Sequence, residues 1–106
     1  MIIYVDIDET ICETPPSRDY SQATPKTERI KIINNLYNEG NTIVYWTSRG
    51  AQTGVDWRDT TESQLMEWNA SYHELILMKP HYDLFIDDKS INSDAFFAEK
   101  CIKNNE

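Results

Sequence analysis

Cations, cysteine and glycine are all scarce in this chain, and no long apolar run occurs. Ten Lys and Arg residues stand against eighteen Asp and Glu, a formal net charge of −8. That balance lacks the basic footprint on which non-specific nucleic-acid binding depends, so it argues against DNA or RNA as a partner. The two cysteines, Cys12 and Cys101, lie at opposite ends of the sequence without a CxxC spacing. They read as reduced packing residues, and with His73 and His81 they form no zinc pattern. No stretch reaches membrane-spanning length, and the opening "MIIYV" is too short and too soon followed by acids for a signal peptide. The expectation is a cytoplasmic protein with no membrane partner. At 106 residues, with no repeat and no linker, residues 1–106 are expected to form a single domain.

What is present is an alternation of apolar strands and helical segments. Ile2 to Val5 is a β-favouring run ending in acids. The loop "CETPPSRDYSQAT" reads as irregular, and Thr24 followed by Pro25 as the cap and first residue of a helix that stops at Gly40. "TIVYW" (Thr42–Trp46) is a second strand. A helix is expected from about Asp59 to Asn69, with Asp59 and Glu62 spaced as a capping box. "ELILM" (Glu74–Met78) and "DLFID" (Asp83–Asp87) are third and fourth strands, and a last helix begins near Ser93 as its cap. Trp46, Trp68 and Phe85 are assigned to the core. Such a series predicts an α/β fold, a doubly wound, Rossmann-like, mostly parallel sheet with helices on both faces.

Right-handed crossovers bring the carboxyl ends of parallel strands to one edge, where such sheets bind ligands. On that edge the sequence places Asp6 with Asp8, Thr47, Lys79, and Asp87 with Asp88. Like-charged carboxylates about 5 Å apart repel by roughly 3 kcal/mol per pair at an effective dielectric near 20. A hard divalent cation with oxygen ligands, magnesium above all, offsets that repulsion and leaves room for a phosphate. Lys79 adds positive charge, and Thr47 a hydroxyl for a phosphoryl oxygen. Singly, each motif has an ordinary explanation in capping, turns or solvated charge. Together, and in this order, they make a constellation.

"DIDET", "WTS", Lys79 and "IDD" resemble the four motifs of the haloacid dehalogenase superfamily of phosphohydrolases, over nearly the whole chain. "KPHYDLFIDDKSIN" is further similar to small bacterial and phage members linked to capsule or surface-sugar synthesis. The resemblance implies that Asp6 is the nucleophile and Asp8 the general acid and base. It implies that Thr10 holds both in register, that Thr47 positions the phosphoryl group, and that Lys79 neutralises charge. Asp6, the Asp8 carbonyl and Asp87 would bind magnesium, with Asp88 direct or through water. The intervals from Asp8 to Thr47 and from Thr47 to Lys79 hold only loops and one helix each, so no cap domain fits. Thr10, Ser48, Arg49, Trp57 and Arg58 are the substrate-facing candidates, arginine for an anionic group and Trp57 for a sugar face.

The expected activity is magnesium-dependent hydrolysis of a small phosphate monoester, a phosphorylated sugar or sugar acid, with a homo-oligomer covering the open crevice. The alternatives are a nucleotidase or nucleic-acid end phosphatase, a receiver-type phosphoacceptor domain, and a silent binding domain. A receiver places its acidic pair first and its lysine last, whereas here an aspartate pair follows Lys79.

Overall fold

The computed structural model describes residues 1–104. Strand β1 (Ile2–Val5) leads into a two-stranded antiparallel ribbon, β2 (Cys12–Glu13) with β3 (Thr24–Pro25). Helix α1 (Thr27–Asn38), β4 (Thr42–Trp46), α2 (Arg58–Glu67), β5 (Glu74–Ile76) and α3 (Ser93–Asn104) follow. The main sheet runs β1-β4-β5, all parallel, with Tyr4 beside Val44 and Tyr45 beside Leu75. This is the expected α/β, Rossmann-like parallel fold, with no cap domain among the described residues, but its helices pack on one face of the sheet where helices on both faces were expected.

Side chains alternate across the sheet, so each strand presents two sets. Val5, Ile43, Tyr45 and Leu75 face a core shared with Ile30 and Ile33 of α1, Leu65 of α2 and Phe97 of α3. Successive right-handed crossovers in one direction across a sheet put their helices on one face, which accounts for α1 and α2 sharing this core. The opposite set includes Ile2 and Tyr4, which are exposed, and Trp46, which is half-buried and meets Tyr4 edge-on. Trp68 packs against the core as expected.

Several expected details differ. Thr24 and Pro25 pair with Glu13 and Cys12 instead of opening a helix. The Lys26 amide donates to the Ile11 carbonyl at 2.8 Å, which keeps the chain extended until Thr27. Asn92, not Ser93, caps α3: its Oδ1 accepts from the Asp94 amide at 2.9 Å. The third strand ends at Ile76, because Met78 has a positive φ of 64° that no strand admits. The expected fourth strand does not pair. Every residue from 80 to 92 is exposed, with Leu84 at 75%, Phe85 at 54% and Ile86 at 86%. Phe85 is therefore no core residue; it touches Tyr82 at 5.5 Å between ring centres. Buried Cys12 packs as expected, while the Cys101 side chain lies outside the described part of the molecule.

Candidate active site

The chain turns sharply after β1. The Thr10 and Ile11 amides both donate to the Ile7 carbonyl, at 3.1 and 2.9 Å, and Glu9 takes a positive φ of 60°. This turn projects Asp6 and Asp8 from the carboxyl end of the strand. Asp6 lines a cavity of about 210 Å3 with Ser48, Lys79, Pro80, His81 and Tyr82. Burial raises the Asp6 carboxyl above its ordinary range, and the charge of Lys79 is the largest influence pulling it back. The Thr10 hydroxyl reaches Asp6 Oδ2 at 3.5 Å, a long contact that orients more than it binds.

Lys79 is placed by the strand ends. The Thr47 amide donates to the Ile76 carbonyl (3.0 Å), and the Lys79 amide donates to the Thr47 carbonyl (2.9 Å). The Lys79 ammonium then rests 5.1 Å from the Trp46 ring centre and 5.2 Å from that of Tyr82. Thr47 is buried, and its hydroxyl accepts from the Arg49 amide at 3.2 Å.

Asp8 is not among the cavity-lining residues. Its carboxylate is gripped by Arg49, Nε to Oδ2 at 3.1 Å and Nη2 to Oδ1 at 2.9 Å, a fork-on-carboxylate pairing. The Thr14 hydroxyl donates to Oδ1 at 2.5 Å. Arg49 has 0% exposure, so the substrate contact expected of it is replaced by an internal one. Its Nη1 also donates to Thr61 Oγ1 (3.0 Å) and Gln64 Oε1 (2.6 Å), and its plane lies over the Tyr20 ring. Gln64 in turn donates to the Tyr20 carbonyl at 2.6 Å. Burial, with the Asp8 charge next, pushes the Cys12 thiol beneath this cluster up to about 12.

Of the other substrate-facing candidates, Ser48 reaches the cavity and Thr10 contacts Asp6. Trp57 stacks edge-on against Tyr20, 5.1 Å between centres. Arg58 binds Glu62 (3.0 Å) and the Leu75 carbonyl (3.1 Å), so it fastens α2 to β5. Asp87 and Asp88 lie in the exposed segment, where the Lys89 amide donates to Asp87 at 3.1 Å and lowers its carboxyl. Among the described residues no three acidic, histidine or cysteine side chains converge closely enough to hold a metal ion. The four aspartates expected to share magnesium are thus not gathered within one chain. Pro80, His81, Tyr82, Thr14, Thr61 and Gln64 belong to the site or its support but were not among the candidates. For the first three, adjacency to Lys79 was the available signal.

No family model matches the chain, and no curated protein matches it. The fold is similar to the crystal structure of a structural-genomics target from Vibrio cholerae, with a TM-score of 0.80. The two are 20% identical, over 99% of this chain and 98% of that one. The likeness is one of fold.

Proposed function

We propose that this chain hydrolyses phosphate monoesters in the manner of the haloacid dehalogenase superfamily, on a small phosphorylated sugar or sugar acid. The observation that carries the reading is the juxtaposition of Asp6 and Lys79 in one cavity at the carboxyl edge of a parallel sheet. A carboxylate beside a fixed ammonium suits attack on a phosphoryl group, because the cation offsets charge that grows in the transition state.

In this mechanism an Asp6 oxygen attacks phosphorus and forms an acyl-phosphate bond. The ester P–O bond breaks, and Asp8 gives the leaving oxygen its proton. Asp8 then takes a proton from water, whose oxygen attacks phosphorus; the Asp6–phosphorus bond breaks and inorganic phosphate leaves. Lys79 stabilises the phosphoryl oxygens in both steps. Arg49 holds both Asp8 oxygens and Thr14 one of them, so Asp8 must turn out of this grip to exchange its proton. Magnesium belongs to this reading as the cation the four aspartates would share once Asp87 and Asp88 stand beside Asp6. A cavity of about 210 Å3 is smaller than sites for drug-sized ligands, which favours a small ester over a nucleotide or nucleic-acid end.

The test is a screen of phosphate release from sugar phosphates, sugar-acid phosphates and nucleotides, with magnesium and with chelator. Release should depend on magnesium and vanish in Asp6→Asn. An Asp6→Asn protein with wild-type turnover, or a wild type inactive on every ester, refutes the proposal.

A further inference from the structure

The segment from 80 to 92 is apolar in sequence where it is exposed in structure. Leu84, Phe85, Ile86 and Ile91 all stand in solvent, in a run with the composition of a buried strand. Its own sheet cannot receive it in a way that brings Asp87 and Asp88 to the crevice. Leu77 to Lys79 are pinned at the carboxyl edge through the Thr47 carbonyl, leaving Pro80, His81 and Tyr82 free before the run begins. Strands lie about 4.8 Å apart, so the place outside β1 is three spacings, roughly 14 Å, from β5. The four Cα steps from Lys79 to Asp83 reach about that far at ~3.5 Å per step. Nothing remains to descend the ~13 Å length of β1, and parallel pairing needs a crossover of about a dozen residues. Starting from the carboxyl edge, the run could only pair antiparallel in its own sheet, which carries Asp87 to the far end, ~13 Å from Asp6.

A second copy has no such constraint. We infer that two chains exchange this arm: residues 83–88 of each copy lie parallel to β1 of the other, delivering Asp87 and Asp88 to its Asp6 and Asp8. The hinge is Pro80–Tyr82. Helix α3 begins a few residues beyond Asp88, so it travels with the arm and makes on the second copy the contacts it makes here. Those contacts are self-contained: Asp94 to Arg29 at 2.7 Å, the Arg29 guanidinium 4.7 Å from the Phe97 ring centre, and Phe97 in the core. The start of α1 thus already fits this chain's own helix, and the outer edge of β1 beside it is unpaired, which is why the occupant is another copy. Each crevice is then built from two chains, and the expected four-aspartate set becomes possible.

The role of Asp87 and Asp88, and with it the preference for a parallel place on a second copy over antiparallel pairing in its own sheet, rests on the proposed phosphatase reading; mass and cross-linking test the exchange without it. Light scattering of the wild type at micromolar concentration should give twice the mass of one chain, and a strict monomer overturns the proposal. Cysteines at Arg29→Cys and Asp94→Cys in a Cys101→Ser background, joined by a short bis-maleimide, should give a covalent dimer under denaturing conditions. A monomeric product with an internal cross-link overturns the exchange, and if that variant does not fold, the wild-type mass decides. Asp6→Asn and Asp87→Asn proteins, each inactive, should recover about a quarter of wild-type activity when unfolded and refolded together, since half the pairs are mixed and one of their two crevices is intact. No recovery, with an active wild type, removes the composite site. A wild type without phosphatase activity refutes the functional reading and leaves mass and cross-linking to judge the exchange.

Discussion

Replacing Arg49 with methionine tests whether the buried cluster behind Asp8 holds the fold. The substitution keeps much of the side-chain volume but removes both bonds to Asp8 and those to Thr61 and Gln64. Asp8, only 13% exposed, would be left charged with the Thr14 hydroxyl and the Cys12 thiol beside it. Removing one partner of a buried ion pair costs about 3–5 kcal/mol, chiefly because the other charge is stranded. Domains of this size hold on the order of 5–15 kcal/mol in total, so the loss is a large share. At about 4–8 °C per kcal/mol, Arg49→Met should lower Tm by at least ~12 °C. Urea unfolding should show a lower midpoint with an unchanged slope. Adding Asp8→Asn should restore part of the loss, since the stranded charge is then gone, and the cycle measures the coupling directly. A Tm drop below about 4 °C, or a double variant no better than Arg49→Met, would refute the reasoning.

Asp6→Asn should instead stabilise. Burial raises the Asp6 carboxyl in the folded state, so the native protein holds that proton more tightly than the unfolded chain. Stability then falls as pH rises from the ordinary carboxylate range through the raised value, and stays reduced above it. The variant should melt higher than wild type at pH 7, with the gain vanishing in acid; equal Tm values at all pH would contradict the burial. Lys79→Ala removes the cation that holds Asp6 down, so the acid limb of kcat/KM should move to higher pH and kcat should fall on the order of 10²-fold. An unmoved limb would detach Lys79 from Asp6. Gly50→Ala would drive a Cβ into the Val55 carbonyl oxygen at a φ of 83°, whereas at Gly40, φ 98°, no atom lies within 4 Å of one. The first should lower Tm clearly more than the second, and equal losses would mean that backbone strain alone matters.

The strands β1 and β4 and the start of β5 were legible as apolar runs, α1 by its apolar period, and α2 and α3 mainly by capping signals at their starts. The ribbon β2–β3 was not: two residues per strand carry no period, and its pairing is set by the Lys26 amide meeting Ile11. "DLFID" has a strand's composition, but composition does not supply the neighbour a strand needs, and neither β1 nor β5 offers it a parallel place within reach. Asp6 and Lys79 were placed on the cavity by their positions at strand ends, and Ser48 as a substrate-facing candidate beside Thr47. Arg49 was found for the wrong contact, because an arginine in a loop is ordinarily solvated and its partner Asp8 is distant in sequence. Its burial depends on Tyr20, Thr61 and Gln64 converging from the ribbon and α2, which only the folded chain reveals.

The position of the Lys79 ammonium between two aromatic rings has an optical consequence. An indole responds to a positive charge 5.1 Å from its ring centre, so the emission of Trp46 is tied to where that charge sits. An anion drawing the ammonium toward Asp6 would unload both Trp46 and Tyr82 at once. On the proposed reading, titration with inorganic phosphate or vanadate should therefore change the protein's own emission, and a spectrum unchanged at saturation would refute the coupling.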